Sequence, residues 1–269
     1  MDTAKCAALH LDVWSVKTES LKQMVEAVKS GIIPADASRA EQPYDAEGHP
    51  YIISDRIAVI TLEGGLMKQW SKYGGTSTTW ARAAIRHADR NDEVDAIMIH
   101  IDSPGGTAAG TAELGDDVRN TEKPIHAHID DLGASAAYWA ASQADLISIN
   151  RAGFAGSIGT YAVIHDESGY AEMNGIKVHV ISTGPYKGAG EPGTEITEEQ
   201  LAEWQSVVDK HFAHFAAAVR RGRSALRAKA HFNKVSDGRI FDSKDSRELG
   251  LVDRVESFDT AMIRLKKAM

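Results

Sequence analysis

From Ile57 onward the apolar positions fall into two alternating kinds of run. Ile57 to Leu62, Ala96 to Ile101, Ile125 to Ile129 and Leu146 to Ile149 are short, rich in isoleucine and bounded by polar or glycine-containing stretches. That is the pattern of strands buried on both faces. Between them, residues about 79–90, 108–120 and 135–143 carry apolar side chains three and four apart and predict helices. Repetition of strand and helix predicts an α/β protein whose sheet is mainly parallel and covered on its faces. Val178 to Ile181 reads as a further strand.

The second half adds one long helix. Thr197 followed by Gln200 is a capping box, and Leu201, Trp204, Val208, Phe212, Phe215 and Val219 share one face up to Gly222. Such a stripe is read as core or subunit contact. Ile240-Phe241 and Leu251 to Val255 predict short strands flanking a helical turn, and Met262 to Lys267 a terminal helix. Residues 1–50 differ in kind: Leu21, Met24, Val25 and Val28 make one short amphipathic helix, and Pro34 to Pro50 is polar and punctuated by proline. An N-terminal arm and linker over 1–50 and a single domain over 51–269 are therefore expected.

Composition narrows the class. The 269 residues are 43% hydrophobic and 25% charged, ordinary for a soluble globular enzyme. With 30 basic and 38 acidic residues the formal charge is −8, and the only basic cluster is Arg220-Arg221-Gly222-Arg223, so no nucleic-acid partner is expected. Cys6 is the single cysteine, which excludes an intrachain disulfide. No run reaches the roughly 18 apolar residues of a membrane span, and no basic start precedes an apolar stretch as in a secretory leader. A cytoplasmic protein without a membrane span is expected.

The chemistry concentrates in two small-residue segments that follow predicted strands. Ser103-Pro104-Gly105-Gly106 reads as a turn in which proline fixes one residue and the glycines supply positive φ, turning a backbone N–H outward. Gly133-Ala134-Ser135-Ala136-Ala137 opens a helix, where backbone N–H groups lack partners and an oxyanion can be received. Ser135, taken alone, reads either as a nucleophile or as an ordinary N-cap ahead of closely packed alanines. Lys187 stands 52 positions further on, in the loop Thr183-Gly184-Pro185-Tyr186-Lys187-Gly188-Ala189-Gly190. It reads either as a solvated loop lysine or as a base, and a lysine base working near neutrality must fall about 3 units below its ordinary pKa of ~10.4.

The ordered set Ile101-Asp102-Ser103-Pro104-Gly105-Gly106, Ala134-Ser135-Ala136-Ala137-Tyr138, Gly156-Ser157-Ile158-Gly159-Thr160 and the lysine loop resembles the signal peptide peptidase A family of Ser/Lys proteases, over roughly Ile57 to Val255. The resemblance implies the Clp/crotonase-like fold: a curved, mainly parallel sheet in repeated ββα units with surrounding helices, and a ring-like homo-oligomer. It implies Ser135 as nucleophile, Lys187 as general base, the N–H groups of Gly106 and Ala136 as oxyanion hole, and Ser157 as the group that orients the lysine amine. No cofactor is implied, and no His/Cys/Asp cluster has metal-ligand spacing.

Two departures bear on the substrate. Ser135-Ala136-Ala137 stands where membrane-anchored members usually have Ser-Gly-Gly, and their N-terminal membrane segment has no counterpart here. With Trp14 in the arm and Gly75-Thr76-Ser77-Thr78, these features resemble the branch found in tailed phages and prophages. That branch trims scaffold, portal or coat proteins in the prohead, so the expected location is host cytoplasm or prohead. Alternatives are a cytoplasmic signal-peptide-peptidase-like protease of a bacterium, a crotonase-type acyl-CoA enzyme, and a non-catalytic oligomeric scaffold component. A histidine base is the chemical alternative: His100, His126 and His128 lie on predicted strands, and His165 follows Ser135 by 30 residues, near the spacing of a Clp-type Ser-His-Asp site.

Overall fold

The structure is a computed structural model and describes residues 14–16, 48–69 and 75–269. The helix expected over Leu21 to Val28, most of the Pro34 to Pro50 stretch, Cys6 and Gly74 lie outside the described residues. In chain order the strands and helices are β1 (Trp14–Val16), β2 (Ile52–Ser54), β3 (Ile57–Met67), β4 (Thr76–Ser77), α1 (Thr78–Arg90), β5 (Ala96–Thr107), α2 (Thr111–Arg119), β6 (Ile125–Ala134) and α3 (Ala136–Ala141). There follow β7 (Leu146–Ile149), β8 (Phe154–Gly156), α4 (Ser168–Met173), α5 (Glu198–Gly222), α6 (Lys229–Phe232), β9 (Ile240–Asp242), α7 (Ser243–Glu248), β10 (Arg254–Val255) and α8 (Phe258–Lys266).

These strands form one sheet whose main path, β10-β7-β6-β5-β3-β2, is parallel except between β3 and β2; off that path β4 and β8 add parallel pairings to β3 and β6, and β1 on β5 and β9 on β8 add antiparallel ones. The α/β class and the mainly parallel sheet are as expected. Alternation along β5 sends Ile97, Ile99 and Ile101 into the main core under the helices, with Leu62, Ile85, Ile129, Tyr138, Trp139 and Phe215. Ala96 and Met98 point the other way and pack with Ile57 against Ala261 and Leu265 of α8. Strands buried on both faces carry apolar residues at most positions, which is why their runs read as isoleucine-rich, with only His100, His126 and His128 interrupting those of β5 and β6.

Local signals explain the helices nearest the site. Ser77 caps α1, its Oγ accepting the Trp80 N–H, and Trp80, Ala81, Ala84, Ile85 and Ala88 form its buried face. The Thr197 capping box opens α5 as expected. Its stripe is buried only toward the C-terminal end: Phe215 and Val219 are in the core, Trp204, Val208 and Phe212 are half-buried, and Leu201 is 48% exposed. That buried end holds α3 in place. Trp139 stacks on Phe215 with ring centroids 4.8 Å apart, Gln143 Nε2 donates to the Ala218 carbonyl (2.9 Å), and a Cβ on Gly222 would collide with the Ser142 carbonyl. The Tyr138 hydroxyl, fully buried, donates to the Leu251 carbonyl (2.8 Å), tying α3 to the C-terminal segment as well.

Three expectations are corrected. Val178 to Ile181 is not a strand: the segment is irregular, pairs with no strand and is exposed, Ile181 at 98%. Ser103-Pro104-Gly105-Gly106 is not a turn but a bulged continuation of β5 to Thr107. Gly105 takes the expected positive φ, 96°, within this bulge, and the Ser103 hydroxyl fastens it to β3 by donating to the Gly64 carbonyl (2.6 Å) and accepting the Gly105 N–H (3.1 Å). Finally, α8 starts at Phe258, four residues before the expected terminal helix, on a Ser257 cap.

Candidate active site

The bulged strand, the strand-to-helix turn and β8 end side by side. Ser103 pairs with Gly133, and Ala134 pairs with Gly156 in the parallel β6/β8 ladder. Ser135 and Ser157 therefore each stand one residue beyond the same rung. Both serines have positive φ, 55° and 52°. A non-glycine residue there is strained, and such strain persists only where its surroundings fix it.

Ser135 is fixed by both of its backbone groups. Its N–H donates to the Gly156 carbonyl (2.8 Å) and its carbonyl accepts the Trp139 N–H (2.8 Å), so the residue is held between the β8 end and the first turn of α3. With φ 55° and ψ −118° it forms a sharp strand-to-helix turn, and its side chain makes no capping bond to α3. The N-cap reading of Ser135 thus loses its defining interaction. The residue is 1% exposed and Ala136, Ala137, Ala140 and Ala141 behind it are fully buried. Ala136, first residue of α3, has an N–H with no carbonyl partner in its own helix.

Gly106 is constrained to be glycine by a close approach. A Cβ there would fall inside the Leu66 carbonyl group of β3. Its N–H belongs to a strand rather than to a helix start, which differs from the turn expected from sequence. Ser157 is 8% exposed, its N–H donates to the Arg239 carbonyl (2.6 Å), and its hydroxyl has no hydrogen-bond partner among the described residues. It lines a cavity of about 420 Å³ shared with Ile158, Tyr161, Val208, Asp209 and Phe212. The rim one residue before Ser103 is acidic: burial, then Asp131, Asp130 and Glu63, push the Asp102 carboxyl above its ordinary range, against a bond from Leu132.

Lys187 is the site residue that the sheet does not position. It lies in an exposed turn, where its N–H donates to the Gly184 carbonyl (3.1 Å) and its ammonium bonds to no described residue. Around it Ile176, Val178, Val180, Ile181 and Tyr186 are exposed between 39% and 98%. Two of the three strand histidines are occupied beneath α8, while the buried Nδ1 of His126 has no hydrogen-bond partner among the described residues. His100 Nε2 contacts Asp130 Oδ2 at 2.9 Å, His128 contacts Ser148 Oγ (2.8 Å) and Asn150 Oδ1 (3.2 Å), and both rings pack on Phe258. Burial holds His126 and His128 below the usual imidazole range. His165 is exposed in the irregular stretch before α4.

Sequence reasoning missed the contacts that hold these residues, because they are backbone carbonyls: Leu66 at Gly106, Gly156 at Ser135 and Arg239 at Ser157. The one available signal was glycine itself. Gly156 has φ 120°, and a Cβ there would meet the Arg239 carbonyl at 2.8 Å.

A mainly parallel α/β sheet ends here in a strained serine turn beside a glycine-bearing strand edge. Residues 117–269, more than half of the chain, match the model described as peptidase family S49. The chain belongs to peptidase family S49. It is 24% identical over 221 residues to protease 4 of Haemophilus influenzae, covering 79% of this chain and 34% of that protein. It is 23% identical over 229 residues to capsid assembly protease C of Escherichia phage lambda, covering 83% and 52%. The chain spans less than two thirds of the length of the curated relatives it matches. Among solved structures, a mutant of ClpP1 from Listeria monocytogenes aligns with a TM-score of 0.49 at 12% identity, over 76% of this chain and 94% of that one. No helix among the described residues is long and apolar enough to cross a membrane.

Proposed function

We propose that the chain is a serine endopeptidase in which Ser135 and Lys187 form the catalytic dyad. The observation that carries this is the backbone of Ser135, held at φ 55° and ψ −118° with its side chain excluded from capping. Strain of that kind is kept where it serves to present a nucleophile. In this reading Ser135 Oγ attacks the substrate carbonyl carbon as its proton passes to Lys187 Nζ, and the N–H groups of Gly106 and Ala136 receive the oxyanion. Collapse breaks the C–N bond, and the departing amine takes the proton from Lys187. Water, giving its proton to the now neutral Lys187 Nζ, attacks the acyl carbon, and as the ester C–O bond breaks Lys187 returns that proton to Ser135 Oγ. Ser157 is the residue assigned to hold the lysine amine, and 51–269 is taken as the peptidase domain.

Lys187 is exposed in the isolated chain, and a lysine acts as a base near neutrality only where it is desolvated. The apolar residues around it are exposed together, the signature of a surface that another chain covers. We therefore read the enzyme as a homo-oligomer whose neighbouring copy covers the 176–190 segment and completes the site. Similarity to capsid assembly protease C of phage lambda and to head-tail preconnector protein GP5 of phage P21 supports a role in prohead maturation, on scaffold, portal or coat protein. The working location would be the host cytoplasm or the prohead.

Dilution tests the assembly. Specific peptidase activity is expected to fall together with the mass measured by light scattering as the protein is diluted. A monomer that keeps its full specific activity would contradict a site completed by a neighbour.

A further inference from the structure

The N-terminal strand sits where a substrate would be expected to lie. A strand has two hydrogen-bonding edges. On one edge of β5, β3 continues through Gly65↔Gly105 and Leu66↔Gly106. On the other, β6 is paired only as far as Ser103↔Gly133, because two residues later its chain turns at Ser135 into α3. Beyond that rung the edge of Gly105–Thr107 on the Ser135 side is taken by β1, which runs antiparallel with Trp14↔Thr107, Ser15↔Gly106 and Val16↔Gly105.

A peptide whose carbonyl is attacked by Ser135 while its oxygen points to the Gly106 N–H has to follow this same edge. An extended peptide docks on a free strand edge through main-chain hydrogen bonds, with little demand on its sequence. We infer that Trp14–Val16 occupies the position of the substrate backbone, so that the N-terminal arm is an intramolecular competitor of extended peptides. The inference rests on the assignment of Gly106 to the oxyanion hole. Being part of the same chain, the arm is present at high effective concentration. A ladder of three residues is short enough for an incoming peptide to displace it.

The arm lowers the apparent affinity of the edge for any peptide in proportion to the fraction of molecules it occupies. The test uses the full chain carrying Ser135→Ala, so that no turnover intervenes, and a fluorescein-labelled synthetic peptide of residues 10–20 read by anisotropy. The same measurement is made with Ser15→Pro or Val16→Pro added. Neighbouring residues of a strand turn their N–H groups to opposite edges, so one of the two prolines removes a ladder donor. At least one proline variant is expected to bind the peptide about 10-fold more tightly than the chain with the native arm. One Kd for all three proteins, or no binding to any, with unchanged circular dichroism, would overturn the inference. A tighter Kd in a chain whose Ser135 form hydrolyses no peptide would uphold arm occupancy and count against the peptidase reading alone.

Discussion

Replacing Ser135 by alanine is expected to lower peptide hydrolysis by about 10⁴-fold or more while the protein folds as before. Removing the nucleophile of an acyl-transfer dyad leaves only the contribution of binding and of the oxyanion hole. The fold has little to lose. The hydroxyl makes no capping bond, and alanine adopts the φ of 55° at the same cost as serine because both carry a Cβ. The elbow itself is held by the Ser135 N–H and carbonyl, which the substitution keeps. Circular dichroism and thermal unfolding check the fold, and peptide turnover checks the chemistry. Activity above a small fraction of wild type in a clean Ser135→Ala preparation would remove Ser135 from the nucleophile role.

Lys187→Ala and Lys187→Arg are both expected to be as damaging as loss of the serine, with His165→Ala near wild type. Arginine keeps the positive charge but does not give up its proton near neutral pH, so it separates a base from a mere cation. The lysine is a clean position for such a test, since it is exposed and its ammonium bonds to no described residue. Light scattering of each variant separates loss of chemistry from loss of the assembly that covers the 176–190 segment. His100 and His128 are already engaged with Asp130, Ser148 and Asn150 beneath Phe258, and His165, 30 residues after Ser135, is the histidine chosen for comparison because of that spacing. Collapse of activity in His165→Ala with Lys187→Ala still active would point to a Ser-His site instead.

The sheet was legible because its central strands are buried on both faces and therefore read as isoleucine-rich runs. The same signal failed where its physical basis was absent. Val178 to Ile181 has the β-branched composition of a strand yet is an exposed, irregular segment, since composition does not report whether an edge is available to pair with. Phe154–Gly156 was invisible for the opposite reason: three residues ending in glycine make no pattern, though this strand carries the carbonyl that anchors Ser135. Pro104-Gly105-Gly106 looked like a turn because proline and two glycines usually make one. Here the positive φ of Gly105 makes a bulge instead, and the Ser103 hydroxyl, bridging Gly64 and Gly105, fastens it to β3. Ser135 and Ser157 could be picked out as candidates from the motifs, but that each stands one residue beyond the Ala134↔Gly156 rung is something only the folded chain supplies. Lys187 is the residue for which neither sequence nor single chain gives a location beside the serine.

A serine activated by a lysine reacts with a fluorophosphonate and keeps the phosphonyl group on its oxygen, so mass spectrometry of the labelled, digested protein reads the dyad directly. One adduct is expected, on Ser135, formed by the wild-type chain and lost in both Ser135→Ala and Lys187→Ala. An adduct on another serine, or labelling of Ser135 at the same rate in Lys187→Ala, would contradict the Ser135/Lys187 dyad.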